Sequence, residues 1–364
     1  MRQSCCYTFS LFISKVLKHI IFCDSNDGGA APRIPLNDGN AIPALGLGTF
    51  LGFDEVCIPN IIFLLEIKDA EVEQPVSWAI ESGYRLFDTA SAYHNEEQVG
   101  LAIQKSEVPR KDIYLVTKLA MNEQRNVLEA ATNSLKRLNT SYVDLYLIHN
   151  PVAFKPDHSE FDIVDYLDTW RGMEEVKKRG LAKSIGISNF NISQMERLLE
   201  HCDIKPAVLQ VELTECTYII SHYNFQVNLD LAQNKILEFT KKHNIAVMAY
   251  SPFGNMFEKT NVGVTKVDDP SLVALAVKYE KTVPQIALRY LIQRGAIPIP
   301  KSVRKGKIAE NINIFDFELA TEDMKLLANF NKDRRTVWPS WWQEHPYYPF
   351  ERNDVPDLDI FKGN

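Results

Sequence analysis

The chain has 364 residues, 45% hydrophobic and 24% charged, with a formal net charge of −7. That composition excludes fibrous, collagen-like and wholly disordered chains. The acidic balance speaks against a nucleic-acid or anionic-membrane partner, and no run of 18 or more apolar residues offers a spanning helix.

Residues 1–30 read differently from the rest. The first stretch is apolar but broken by Lys15, Lys18 and His19, and no acidic residue precedes Asp24. The lysines argue against a secretory signal peptide, which wants an uninterrupted apolar run. A disordered or artefactual extension and a weak mitochondrial-type presequence both stay open. The six cysteines are Cys5, Cys6, Cys23, Cys57, Cys202 and Cys216, in no zinc-binding spacing, so no metal site is expected. Only Cys202 lies in what reads as the catalytic core, which suits a reducing, cytoplasmic setting.

A small hairpin is expected over 33–43, around the turn Asn37-Asp38-Gly39, where it could plug a barrel floor. Beyond it, short apolar strands are predicted over 45–48, 85–88, 113–118, 143–149, 184–187, 208–211, 245–250 and 297–299. Amphipathic helices are predicted between them, over 71–80, 125–138, 272–279 and 284–292. In the second of these the apolar stripe is Leu128, Ala131, Leu135 and Leu138. Alternation of this kind implies a parallel sheet covered by helices, and eight units imply closure into a single (β/α)8 barrel over 31–364.

The active site of such a barrel lies at the C-terminal ends of its strands. Three neighbouring strands end in Asp88, Lys118 and His149, separated by 30 and 31 residues. Each alone has a plain structural reading: a helix cap, a solvated amine, a core histidine. Their common register predicts that they converge. Tyr93 follows in the loop after Asp88 and can lean over the mouth. A phenol is a poor acid at neutral pH, but a nearby ammonium favours the phenolate and lowers its pKa. Lys118 can supply that charge and Asp88 can hold the lysine. Tyr93 then donates a proton to a carbonyl oxygen while hydride reaches the carbon, and His149 orients the carbonyl.

These residues sit in the series I-P-A-L-G-L-G-T-F, G-Y-R-L-F-D-T-A-S-A-Y, L-V-T-K-L, V-D-L-Y-L-I-H and G-I-S-N-F. The series resembles the aldo-keto reductase superfamily, most of all its aldose and aldehyde reductase branch, and is similar to 3-dehydroecdysone reductases of that branch. The resemblance implies NADPH-dependent reduction of aldehydes or ketones, with Tyr93 as general acid and Asp88, Lys118 and His149 around it. It implies that Ser188, Asn189 and Gln210 hold the nicotinamide amide, that Tyr250 stacks beneath the ring, and that Thr49 and Ser251 also touch the cofactor. It places Lys301, Ser302 and Lys307 at the 2′-phosphate, and Glu310 and Asn311 at the adenine. Phe50, Tyr93, His149 and Asn150 would line the substrate pocket. The branch is usually monomeric.

The departures from the family pattern are local. Lys307 stands where arginine is common, losing the bidentate fork. Phe50 and Asn150 stand where indoles are frequent, which suggests a more polar or roomier pocket wall. The aromatic region 338–348, with Trp341, Trp342, Tyr347 and Tyr348, reads as a C-terminal specificity loop or as a tail packed on the barrel. Residues 56–67 and 214–227 read as inserts into active-site loops, either lids or retained intron sequence.

Two decoys are set aside. Gly46-Leu47-Gly48 lacks the third glycine and the following helix of a dinucleotide fingerprint. Tyr114 and Lys118 show the Y-x-x-x-K spacing of short-chain reductases, but that pair needs a helix and 113–118 reads as strand. A non-catalytic NADPH-binding barrel, acting as a redox sensor or regulatory subunit, is the rival from another class. It would relax the four catalytic positions, all of which this sequence retains.

Overall fold

The computed structural model describes residues 28–51, 54–58, 61–65, 72–212, 233–254, 256–257, 265–330 and 342–350. Residues 1–27 of the extension expected over 1–30, and the insert expected over 214–227, lie outside these, as do Trp338 and Trp341.

Eight parallel strands form one sheet, with neighbours in chain order: Leu47–Gly48, Leu86–Asp88, Tyr114–Leu119, Val143–Ile148, Ala182–Ser188, Val208–Glu212, Ala246–Tyr250 and Ala296–Pro298. Each matches a predicted strand to within about two residues, the usual scatter of strand ends. The seam between first and last strands is closed by backbone hydrogen bonds from Gly46 to the Pro298 carbonyl and from Gly48 to the Pro300 carbonyl, both 3.1 Å. Only glycine fits there: a Cβ on Gly48 would lie 2.8 Å from the Ile299 carbonyl oxygen, and one on Gly46 would lie 2.4 Å from Leu86 Cγ.

Helices cover the outside. The helix Val127–Arg137 buries Val127, Ala130, Ala131, Ser134 and Leu135. Its apolar stripe is therefore rotated from the predicted one, with Leu128 only partly buried. Asp165, Asn191, Asp269 and Thr282 cap their helices with side-chain hydrogen bonds, leaving fewer orphan N–H groups.

The hairpin Arg33–Pro35 with Ala41–Pro43 is present as expected. Leu36 and Ile42 join Leu86, Val116, Leu145, Val208 and Met248 in one cluster inside the sheet, so the hairpin stops the barrel floor. Ahead of it, the Ala30 amide bonds the Gly83 carbonyl at 2.9 Å and Arg85 bonds the Gly28 carbonyl at 3.2 Å. Residues 28–30, expected to belong to the extension, are thus tied to the barrel. Part of the first expected insert forms a hairpin of its own, Asp54–Ile58 with Ile61–Leu65.

Side chains alternate along a strand, so one parity faces the interior. Leu86 and Asp88 share that parity, as do Val116 and Lys118, Leu145, Leu147 and His149, Val208 and Gln210, and Met248 and Tyr250. Each row is apolar at the floor and polar at its C-terminal end. The packing of the barrel therefore aims the chemistry at the mouth.

Candidate active site

Lys118 and Asp88 are both almost fully buried, and Lys118 Nζ lies 2.6 Å from Asp88 Oδ1. The same amine donates to the Thr89 carbonyl at 2.8 Å and to the Tyr93 hydroxyl at 3.2 Å. Gln210 Nε2 donates to the other Asp88 oxygen at 2.7 Å. The His149 ring meets Tyr93 edge-on with centroids 5.5 Å apart, and the Phe50 ring lies tilted against Tyr93 at 5.0 Å. The four residues singled out as catalytic are brought together.

Tyr93 gets there on a single 3-10 turn, Ser91–Tyr93, stopped by His94 in the left-handed region. The turn is fastened at both sides. Thr89 donates to Asn95 Oδ1 at 2.7 Å, and Asn95 donates to the Thr49 carbonyl at 2.9 Å.

The electrostatics differ from the sequence expectation in one respect. Burial pushes the Tyr93 hydroxyl well above the ordinary phenol range, and the Asp88 carboxylate adds to this. The expected acidification by Lys118 does not win, because taking the phenolate out of water costs more than one amine returns. Tyr93 is thus a fully protonated donor at neutral pH. Burial lowers Lys118 and Asp88 opposes that. Burial and the Lys118 charge bring His149 down to about 3, so its imidazole is neutral. His149 Nδ1 is buried with no hydrogen-bond partner among the described residues. A lone pair is a cheaper orphan there than an N–H, which puts the proton on Nε2.

The expected cofactor residues fall into two groups. At the mouth, Ser188, Gln210 and Thr49 are buried. Asn189, at a φ of 61°, donates to the His149 carbonyl at 3.0 Å and accepts from the Tyr250 hydroxyl at 2.9 Å. Ser251 follows at a φ of 49°. A hydroxyl, two carboxamides and a flat aromatic face suit a planar ring that carries an amide. Beyond the last strand, Lys301, Ser302 and Lys307 flank the start of the helix Lys305–Ile312, whose N-terminal N–H groups lack a side-chain cap. Cations around an uncapped helix start suit a phosphate. Lys307 pairs with Glu310 at 2.7 Å, and Glu310 also accepts from Thr282 at 2.8 Å. Asn311 is buried.

Asn150 is also buried, and its side-chain oxygen turns the chain by accepting from the Val152 amide at 3.1 Å. The C-terminal segment packs on the small hairpin Ala153–Phe154 with Phe161–Asp162 that follows His149. Trp342 meets Phe154 at 5.8 Å and Tyr347 meets Tyr166 at 5.1 Å.

Several contributors escaped sequence reasoning. Arg304 adds an exposed cation at the helix cap position. His345 is fully buried, and its Nδ1 accepts from the Tyr347 amide at 3.1 Å. Glu96, Arg137 and Ser91 form a network behind Tyr93. Their signal was available only as an Asn-Glu helix start after the loop. Among the described residues, no group of His, Cys, Asp and Glu could hold a metal ion, and no helix is long and apolar enough to cross a membrane.

The eight-stranded parallel barrel with polar residues ringed at its mouth defines an α/β barrel with its site at the C-terminal ends of the strands. The chain belongs to the aldo/keto reductase family, whose model matches residues 44–332. Aldo-keto reductase AKR2E4 of Bombyx mori is 44% identical over 329 residues, covering 88% of this chain and 98% of that one. Its crystal structure in complex with NADP superposes with a TM-score of 0.76, covering 88% of this chain and 99% of that one. A crystal structure of aldo-keto reductase AKR2E5 complexed with NADPH gives a TM-score of 0.78 at 39% identity, covering 91% and 97%. Human aldo-keto reductase family 1 member C4 is 38% identical over 339 residues, covering 87% and 97%.

Proposed function

We propose that the chain reduces aldehydes or ketones to alcohols with NADPH, Tyr93 being the proton donor. The observation that carries this reading is the 3.2 Å contact between the buried Lys118 amine and the Tyr93 hydroxyl. When bound, NADPH supplies the hydride to the carbonyl carbon. The rest is done by side chains of the chain. The neutral His149 donates a hydrogen bond from Nε2 to the carbonyl oxygen and sets its orientation. Tyr93 gives its proton to that oxygen as charge develops there. Lys118 hydrogen-bonds the phenolic oxygen and stabilises it once the proton has left, while Asp88 balances the lysine. Ser188, Asn189 and Gln210 hold the nicotinamide amide, with Tyr250 under its ring and Thr49 and Ser251 beside it. Lys301, Ser302 and Lys307, joined by Arg304, take the 2′-phosphate, and Glu310 and Asn311 the adenine. Phe50 and Asn150 border the substrate. The enzyme works as a cytoplasmic monomer. The family relatives support the reaction class, and the intact set of four supports an enzyme over a redox-sensing barrel.

The test is oxidation of NADPH with a panel of carbonyl substrates, followed at the nicotinamide absorbance. Tyr93→Phe lowers kcat by about 10²-fold or more while NADPH still binds. Unchanged turnover removes Tyr93 from its role.

A further inference from the structure

A second ion pair, with its carboxylate buried and its guanidinium half-buried, lies behind the Tyr93 turn. Glu96, the first residue of the helix Glu96–Lys105, is 1% exposed. Its Oε1 accepts from the Thr117 hydroxyl at 2.5 Å and its Oε2 from Arg137 Nε at 2.6 Å. Arg137 Nη2 then donates to the Ser91 hydroxyl at 3.0 Å. Thr117 is the strand neighbour of Lys118, and Ser91 opens the turn that ends in Tyr93. One carboxylate thus links the strand that carries the lysine to the turn that carries the tyrosine, through an arginine at the end of a third element.

Stability alone accounts poorly for this arrangement. Taking the Glu96 carboxylate out of water costs much of what its attraction to the half-buried guanidinium returns. The helix start could be served as well by the exposed Glu97. What the network does provide is placement. The amine-to-hydroxyl distance of 3.2 Å is already at the long end for a hydrogen bond. A small drift of the turn would break it, and misplacement by about 1 Å can cost about 10²-fold in rate. Glu96 also adds to the negative field that favours the Lys118 ammonium.

We infer that Glu96, acting through Arg137 and Ser91, is a positioning residue that holds the Tyr93 hydroxyl within reach of Lys118. This rests on Tyr93 being the proton donor.

Two substitutions test it. Glu96→Gln keeps the shape and the Thr117 contact but removes the charge. Ser91→Ala removes only the last link, on a partly exposed residue, and leaves no charge stranded. Glu96→Gln lowers kcat about tenfold and Ser91→Ala about threefold, with the Kd for NADPH unchanged by fluorescence quenching. The decisive measurement repeats both substitutions in the Tyr93→Phe background. If Glu96 acts through Tyr93, neither changes the residual rate there, because effects routed through one group do not multiply. Equal fold-losses in both backgrounds overturn the inference and leave a structural role. A large loss with Tyr93→Phe alongside full activity in Glu96→Gln and Ser91→Ala overturns it alone. Full activity in Tyr93→Phe removes the tyrosine assignment and this inference with it. Should Glu96→Gln fail to fold, Ser91→Ala decides.

Discussion

Lys118 and Asp88 meet at the ends of adjacent barrel strands as a buried ion pair, 2.6 Å apart and closed off from water. The pair's other hydrogen bonds are also made: Thr89 and Tyr93 take hydrogen bonds from the amine, and Gln210 gives one to the second carboxylate oxygen. Complete satisfaction of this kind is what allows two charges to stay buried.

Asp88→Asn therefore strands a buried ammonium. The expected cost is about 3 kcal/mol or more of unfolding free energy, read from urea denaturation, together with loss of most of kcat. Replacing both partners, Asp88→Leu with Lys118→Met, recovers much of that stability and none of the turnover. A single variant as stable as the parent would contradict the pair's burial.

The neutral His149 has a pH signature. Its folded pKa, at about 3, lies below the unfolded value of 6.5. Between those limits the unfolded chain binds a proton that the folded chain does not. Stability contributed here is present above 6.5 and falls as pH drops from 6.5 towards 3. His149→Asn flattens that part of the stability profile measured by thermal unfolding. An unaltered slope would mean that other groups produce it.

On the proposed reading, cofactor preference turns on the cations at the start of the helix Lys305–Ile312. Lys307 is already paired with Glu310, so its charge is partly spoken for. Arg304 should then contribute more than the family pattern alone implies. Arg304→Ala is expected to weaken NADPH binding about five- to tenfold and NADH binding hardly at all, as loss of one phosphate contact requires. Equal weakening of both would place Arg304 away from the 2′-phosphate.

His345 fixes the C-terminal segment. It accepts from the Tyr347 amide, meets the Asp162 carbonyl at 3.2 Å, and stacks edge-on to Phe161. His345→Phe leaves the Tyr347 amide and the Asp162 carbonyl without this partner, at a cost of about 1–3 kcal/mol. Because this tail packs on the hairpin after His149, the expected kinetic effect is a raised KM for the carbonyl with kcat nearly unchanged. A fall in kcat with KM constant would put His345 closer to the chemistry than its contacts suggest.

Much of the molecule was legible in the chain itself. Eight apolar runs alternating with helical stripes imply a parallel sheet covered on both faces, and the count of eight units points to its closure into a barrel. The spacing of Asp88, Lys118 and His149 dictates their meeting, since one strand-helix unit separates each from the next and their side-chain parity agrees. Tertiary structure alone decided three matters. It decided the protonation of Tyr93, where burial and the Asp88 carboxylate outweighed the one cation that local reasoning had counted. It decided that Lys307 answers to Glu310 and that Asn150 spends its oxygen on Val152, because a side chain binds whatever the fold brings near. It decided the bracing of the Tyr93 turn by Glu96 and Arg137, which lie 41 residues apart. Periodicity reports which way a side chain faces. It carries no information on which distant side chain faces back, and the electrostatics of a buried site depend on that second fact.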